Sequence, residues 1–162
     1  MIRSRHLVFA TSLLAGLATA AVVAAPSRTS APRLPHAALE RYGVAWHTPS
    51  QDSLDSMPLS GRFGAGANVW GQDGSIWLYL GHNGAYDEQG RLLKLGCVRI
   101  TPVDSKLGEA GFRQELDLAT GAIHIQQGDF KASLWFAGET LLFESTATRP
   151  RSLEISFGSW RD

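Results

Sequence analysis

Residues able to do bond-breaking chemistry are sparse and scattered. Beyond the first 24 residues the histidines are His36, His47, His82 and His124, and no two of them share a short ligand spacing. A metal centre built on neighbouring imidazoles is therefore not indicated. Glycoside hydrolysis needs two carboxyl groups facing each other across the scissile bond. Asp87 and Glu88 are adjacent, so in an extended segment they point to opposite sides, and they read as turn residues ahead of Gly90. Gly158-Ser159-Trp160 is too short for the strained Gly-x-Ser-x-Gly elbow of a serine hydrolase. Gly61-Arg62-Phe63-Gly64-Ala65-Gly66 has the glycines of a phosphate loop without its lysine or its strand-turn-helix setting. No catalytic residue, metal ligand or cofactor is assigned.

Residues suited to contact are better represented. The chain carries five tryptophans, Trp46, Trp70, Trp77, Trp135 and Trp160, and an exposed indole presents a flat apolar face on which a sugar ring can stack. Trp77 and Trp135 lie inside apolar runs and read as core. The candidate carbohydrate contacts are Trp70, the loop residues His82, Asn83, Tyr86 and Asp87, and Arg62.

The elements that must position these residues are strands. From about Leu39, turn signals recur roughly every ten residues between short runs of Val, Ile, Leu, Phe, Trp and Tyr, the pattern of an all-β sandwich or barrel. Ala67–Trp70 and Ser75–Leu80 flank Asp73-Gly74, a pair suited to the positive φ angles of a tight hairpin. In the second of these strands both faces are apolar, which predicts cover on both sides. Phe112–Leu118 and Ala122–Gln126 form a second hairpin around Ala119-Thr120-Gly121. Phe130–Phe136, Leu141–Thr146 and Leu153–Phe157 are three further strands, and Ala37–Tyr42 is a helical turn. The fold expected is an antiparallel β-sandwich.

Composition and charge bound the class. Fifteen Lys and Arg balance fifteen Asp and Glu, with 44% hydrophobic residues and one cysteine. With no basic cluster a nucleic-acid partner is not expected, and a disulfide framework or thiolate zinc cluster is excluded. Arg3 and Arg5 precede an uncharged run, Leu7–Ala25, that ends in small residues, the layout of a signal peptide. Cleavage after Ala24 is preferred, with Ala20 as the second site, because cleavage after Ala25 would leave Pro26 first. The domain organisation expected is a signal peptide over residues 1–24, a flexible Pro- and Ser-rich linker over 25–38 and a β-sandwich over 39–162. Removing the leader takes away Arg3 and Arg5 and leaves 138 residues with a net charge of −2. The protein is then secreted or periplasmic and free of the membrane. The alternative is an uncleaved anchor, since the 19-residue run approaches bilayer length. Cys97, between Gly96 and Val98 at the head of a strand, is expected to be buried, the alternative being intermolecular pairing.

Several segments carry a family resemblance. They are Tyr42-Gly43-Val44-Ala45-Trp46, Thr48-Pro49-Ser50, Asp52-Ser53, Ser56-Met57-Pro58-Leu59, Asn68-Val69-Trp70, Leu92-Leu93-Lys94-Leu95-Gly96, the run Phe112–Gly121, and Trp160-Arg161. Together they resemble the N-terminal domain, itself of unknown function, of bacterial and fungal secreted proteins allied to α-L-fucosidase-type glycoside hydrolases. The resemblance covers residues 41–162 and implies a β-sandwich of the supersandwich kind that precedes an (α/α)6 barrel. The chain departs from that family at Ser60–Gly64 and at His82–Tyr86, where a polar or acidic residue of the family's pattern is missing. The family's catalytic carboxylates belong to the barrel, so the resemblance implies a non-catalytic domain. Its expected partners are carbohydrate and a helical catalytic domain, encoded separately or lost. A stand-alone carbohydrate-binding module is the second expectation, and a glycosidase in its own right the third.

Overall fold

A computed structural model describes residues 5–8, 36–103, 107–108 and 110–159. The strands are β1 (Arg5–Val8), β2 (Val44–Trp46), β3 (Met57–Ser60), β4 (Ala65–Gln72), β5 (Ser75–Tyr86), β6 (Leu92–Pro102), β7 (Phe112–Asp117), β8 (Ala122–Gln127), β9 (Phe130–Ala137), β10 (Thr140–Thr146) and β11 (Leu153–Gly158). One sheet has the order β2-β7-β8-β9-β10, with β1 added at the β10 edge; the other has the order β3-β4-β5-β6-β11. All neighbours are antiparallel. The fold is thus the expected all-β sandwich.

Local chemistry explains the elements. Asp73 (φ 49°) and Gly74 (φ 76°) both adopt left-handed backbone, the requirement of a two-residue hairpin turn whose twist matches its strands. The turn sets the β4–β5 register, placing Trp70 opposite Trp77 and Gly66 opposite Gly81. Strand alternation then sends Ala67, Val69, Ile76 and Leu78 to one face and Asn68, Trp70, Trp77 and Tyr79 to the other. The first face packs against Phe112, Ile123, Ile125, Phe130, Leu134 and Phe143 of the facing sheet in one core.

Gln114 crosses that core. Fully buried, its amide donates to Val69 O (3.0 Å) and accepts from Gly71 N (3.0 Å). β3 begins at Met57 opposite Val69, so β4 runs past its neighbour, and Gly71 N, beyond the end of that pairing, takes the Gln114 amide oxygen as its partner.

Four expectations change. β5 continues to Tyr86, so His82, Asn83 and Tyr86 stand on an irregular strand rather than in a loop; its register against β6 shifts at Leu80/Gly81 and again before Tyr86. Cys97 lies mid-strand in β6 and is half-buried on the outer face, where it pairs with Tyr79. Among the described residues no sheet covers the second face of β5: Trp77 and Tyr79 are half-buried, shielded by a neighbouring indole and two cationic side chains. Trp135 is likewise half-buried, while Trp70 is 2% exposed, reversing the order expected of them. The helical turn over Ala37–Tyr42 is present as α1 (His36–Leu39) and a following 3-10 turn at Glu40–Tyr42. Of the leader and linker, only Arg5–Val8 and His36–Ala38 fall among the described residues; Trp160 and Arg161 lie outside them. No helix of the described residues is long and apolar enough to cross a membrane.

Candidate functional site

The two outer faces differ in chemistry. On the β7–β8–β9 face, Arg113 pairs with Glu115 (2.9 Å) and His124 Nδ1 lies 2.9 Å from Ser133 Oγ, a solvated polar surface. The outer face of the β3–β4–β5–β6 sheet is aromatic. Trp70 stacks near Trp77 (centroids 6.2 Å apart) and meets Tyr79 edge-on (4.7 Å). The Arg99 guanidinium lies over Trp77 at 5.1 Å, and the Lys94 ammonium over Tyr79 at 5.7 Å, both within the range of cation–π attraction.

At one end of this face Ser75, Arg99 and Thr101 form a polar knot. Arg99 Nε donates to Ser75 Oγ (3.0 Å), which lies 2.9 Å from Thr101 Oγ1. Toward the other end the Trp70–Trp77 pair gives way to Asn68 and Tyr79, and then to Gly66 opposite Gly81. Two facing glycines leave the sheet without side chains for a row, and a trough of about 430 Å³ opens there. Pro58, Asn68, Tyr79 and Lys94 stand along it. A Cβ at Gly81 would have no atom within 4 Å, and one at Gly66 would meet only Leu59 O at 3.5 Å. A side chain at either position would project into open space above the sheet.

Beyond the trough three segments converge. Arg62 N donates to Gly138 O (2.7 Å) and Gly61 N to Ala65 O (2.8 Å). The Asn83 amide fills the space where a Cβ on Gly64 (φ 92°) would sit, 1.8 Å from Asn83 Oδ1. His82 Nδ1 accepts from Gly84 N (2.9 Å), and its Nε2 lies 3.8 Å from Glu139 Oε1. Phe63, in left-handed backbone (φ 56°), is 77% exposed at this end. A smaller cleft of about 180 Å³ runs beside Trp46, whose indole N–H donates to Asp55 O (2.9 Å).

The structure thus gathers Arg62, His82 and Asn83 and separates them from the other candidates. Tyr86 pairs with Leu92 at the far end of the β5–β6 hairpin. Asp87 closes that hairpin, accepting from Gln89 N, Arg91 N and Arg91 Nε, so it is the turn residue its spacing predicts. Trp70 is packed into the face and offers no open ring. Sequence reasoning passed over Tyr79, Asn68, Lys94 and the Gly66–Gly81 pair. The signal was present, since Gly66 and Gly81 are equidistant from the Asp73-Gly74 turn and a two-residue hairpin makes such residues partners.

Two carboxylates are tuned by their turns. Asp117 is held below its ordinary 3.8, chiefly by the Thr120 hydroxyl, with the Ala119 and Thr120 amides and His124 adding to it against a cost of burial. Asp129 is lowered first by the Thr148 hydroxyl and then by Arg151. Both stay ionised and fasten turns. Among the described residues no three His, Cys, Asp or Glu gather as a metal site.

The family model DUF5703_N, described as a domain of unknown function (DUF5703), matches residues 45–162. The chain belongs to this family. The match begins within β2 and takes in every later strand, so the trough and the convergent end both lie inside the DUF5703 domain. No curated protein and no solved structure matches the chain.

Proposed function

We propose that this DUF5703 domain is the non-catalytic N-terminal β-sandwich of a secreted or periplasmic, glycoside-hydrolase-like protein, and that it packs against a helical (α/α)6 domain and shapes the edge of its carbohydrate cleft. The observation that carries the reading is the convergent end of the sandwich, where Phe63 is exposed beside Arg62, His82, Asn83 and Glu139. A bulky residue in left-handed backbone costs about 1–3 kcal/mol, and a partner domain seated over Phe63 would offset part of that cost by covering its ring. The resemblance of Ser56–Leu59 and Leu92–Gly96 to the glycosidase-linked family supports the same placement.

The test has two steps. The reading frame downstream of Asp162, or a neighbouring one, is expected to encode a helical barrel, and that barrel, produced separately, is expected to co-elute with the full chain in size-exclusion chromatography. Phe63→Ser should weaken co-elution at least tenfold while leaving the unfolding midpoint in place. Independent migration of the two proteins would overturn the reading. The trough favours a second reading, a stand-alone carbohydrate-binding module, which predicts polysaccharide retention with no helical partner present.

A further inference from the structure

Near the end of β5 the sequence His82-Asn83-Gly84 places an asparagine directly before a glycine, both of them exposed. Asparagine is among the thermolabile residues, because the peptide nitrogen that follows it can attack its side-chain carbonyl and close a succinimide ring. A glycine in the next position removes the side chain that would hinder this attack and gives the backbone its greatest freedom to bend. The sheet leaves this peptide unclamped. The β4 register ends where Ala65 faces His82, and the β6 register slips between the Gly81 and Tyr86 pairs, so Asn83 and Gly84 stand in neither. The chain's other asparagine, Asn68, precedes Val69 and is paired on both sides, with Pro58 and with Tyr79.

A base is already in place at the attacking nitrogen. Gly84 N donates its hydrogen to His82 Nδ1 over 2.9 Å. Nδ1 is then the unprotonated nitrogen of a neutral ring, and Nε2 carries the hydrogen on the side of Glu139 Oε1, 3.8 Å away. The order amide, imidazole, carboxylate is that of a nucleophile, its base and the group that orients the base. A Cβ on Gly84 would lie 3.1 Å from His82 Nδ1 and 3.2 Å from Cε1, so a side chain there would crowd the imidazole. Glycine admits both the base and the attack.

We infer that Asn83-Gly84 is a self-modification site, with His82 as the general base for succinimide formation. Gly84 N gives its proton to His82 Nδ1 as it bonds to Asn83 Cγ. The imidazolium returns that proton to the side-chain amide nitrogen, whose bond to Cγ breaks and which leaves as ammonia. Water then opens the imide at one carbonyl or the other, giving aspartate or isoaspartate, and no oxidant or cofactor is consumed. A neutral amide seated on Gly64 thereby becomes a carboxylate, and the end of the sandwich that carries Arg62 gains a negative charge. The inference does not depend on the docking proposed above.

The full chain and its His82→Asn and Gly84→Ala variants would be held at neutral pH, with parallel samples unfolded in guanidinium chloride. Peptide mapping would resolve asparagine, aspartate and isoaspartate at position 83. His82→Asn keeps an acceptor for the Gly84 N–H but supplies no base. The folded parent is expected to convert Asn83 about ten- to a hundredfold faster than either folded variant, at or below the low end of general-base catalysis. It should also outpace its own unfolded form and leave Asn68 intact, whereas unfolded parent and unfolded His82→Asn should convert alike. A folded parent no faster than the unfolded one would overturn the inference, and that ratio decides even where a variant fails to fold. A folded His82→Asn as fast as the parent would overturn it equally. Either failure leaves the docking proposal to its own co-elution test.

Discussion

Asp129 shows how single side chains hold the irregular parts of this domain. It stands at the β8–β9 turn and takes hydrogen bonds from Thr148 and Arg151, two residues of the β10–β11 connection. Those donors favour the carboxylate, so its folded pKa lies below the ordinary 3.8. A depressed folded pKa contributes stability that is present above the unfolded value and is lost as pH falls through the folded one. Asp129→Asn should therefore lower the urea midpoint near neutral pH and flatten its decline below about pH 4. Midpoints measured from pH 2 to pH 7 check this, and parallel curves for variant and parent would contradict it. None of this was legible in the sequence. Asp129 precedes Thr148 by nineteen positions, and only the fold brings them together.

At the scale of elements, the glycines divide into those that make a turn and those that make space. Gly64 does the first: its φ of 92° is left-handed, and its missing Cβ is the seat of the Asn83 amide. Gly64→Ala should cost about 1–2 kcal/mol from backbone strain and displacement of Asn83. Gly128→Ala, also left-handed but in open space, should cost only the strain. Introducing Asn83→Ala should bring the two costs together, as chemical denaturation of the four variants would show. The turn function was readable at Asp73-Gly74 because the residue pair itself demands positive φ. The space function at Gly66 and Gly81 was not read, since a glycine in a strand says nothing about its partner until the register is counted from the turn. The same gap misplaced Trp70 and Trp77: both lie on the outer face, and neighbours along and across the strands decide which is sealed.

For the whole molecule, the two sheets share an apolar core with a polar rivet through it. Gln114→Met keeps the volume and removes both hydrogen bonds, leaving Gly71 N buried and unmet. The expected loss is about 1–3 kcal/mol, the cost of one stranded group, read as a lower denaturant midpoint with unchanged slope. A loss below about 0.5 kcal/mol would show that water or backbone movement replaces the amide. The sandwich itself was legible because strand alternation and turn residues act over a few positions. Gln114 alternates with Phe112 and Leu116, which puts it on the apolar face of its strand; what nothing local marked was its pair of backbone partners in the facing sheet.

The position of β11 has a consequence in time. Leu153–Gly158 completes the sheet by pairing with Pro102–Cys97, so its partner strand leaves the ribosome about 50 residues ahead of it. At roughly 5–20 residues per second, that edge of β6 waits several seconds with its ladder groups unpaired. During the wait β7 to β10 emerge in hairpin order and can settle against one another, while the β6 edge stays open to any extended segment that reaches it first. The domain is therefore most vulnerable to wrong pairing late in synthesis, at a strand made early.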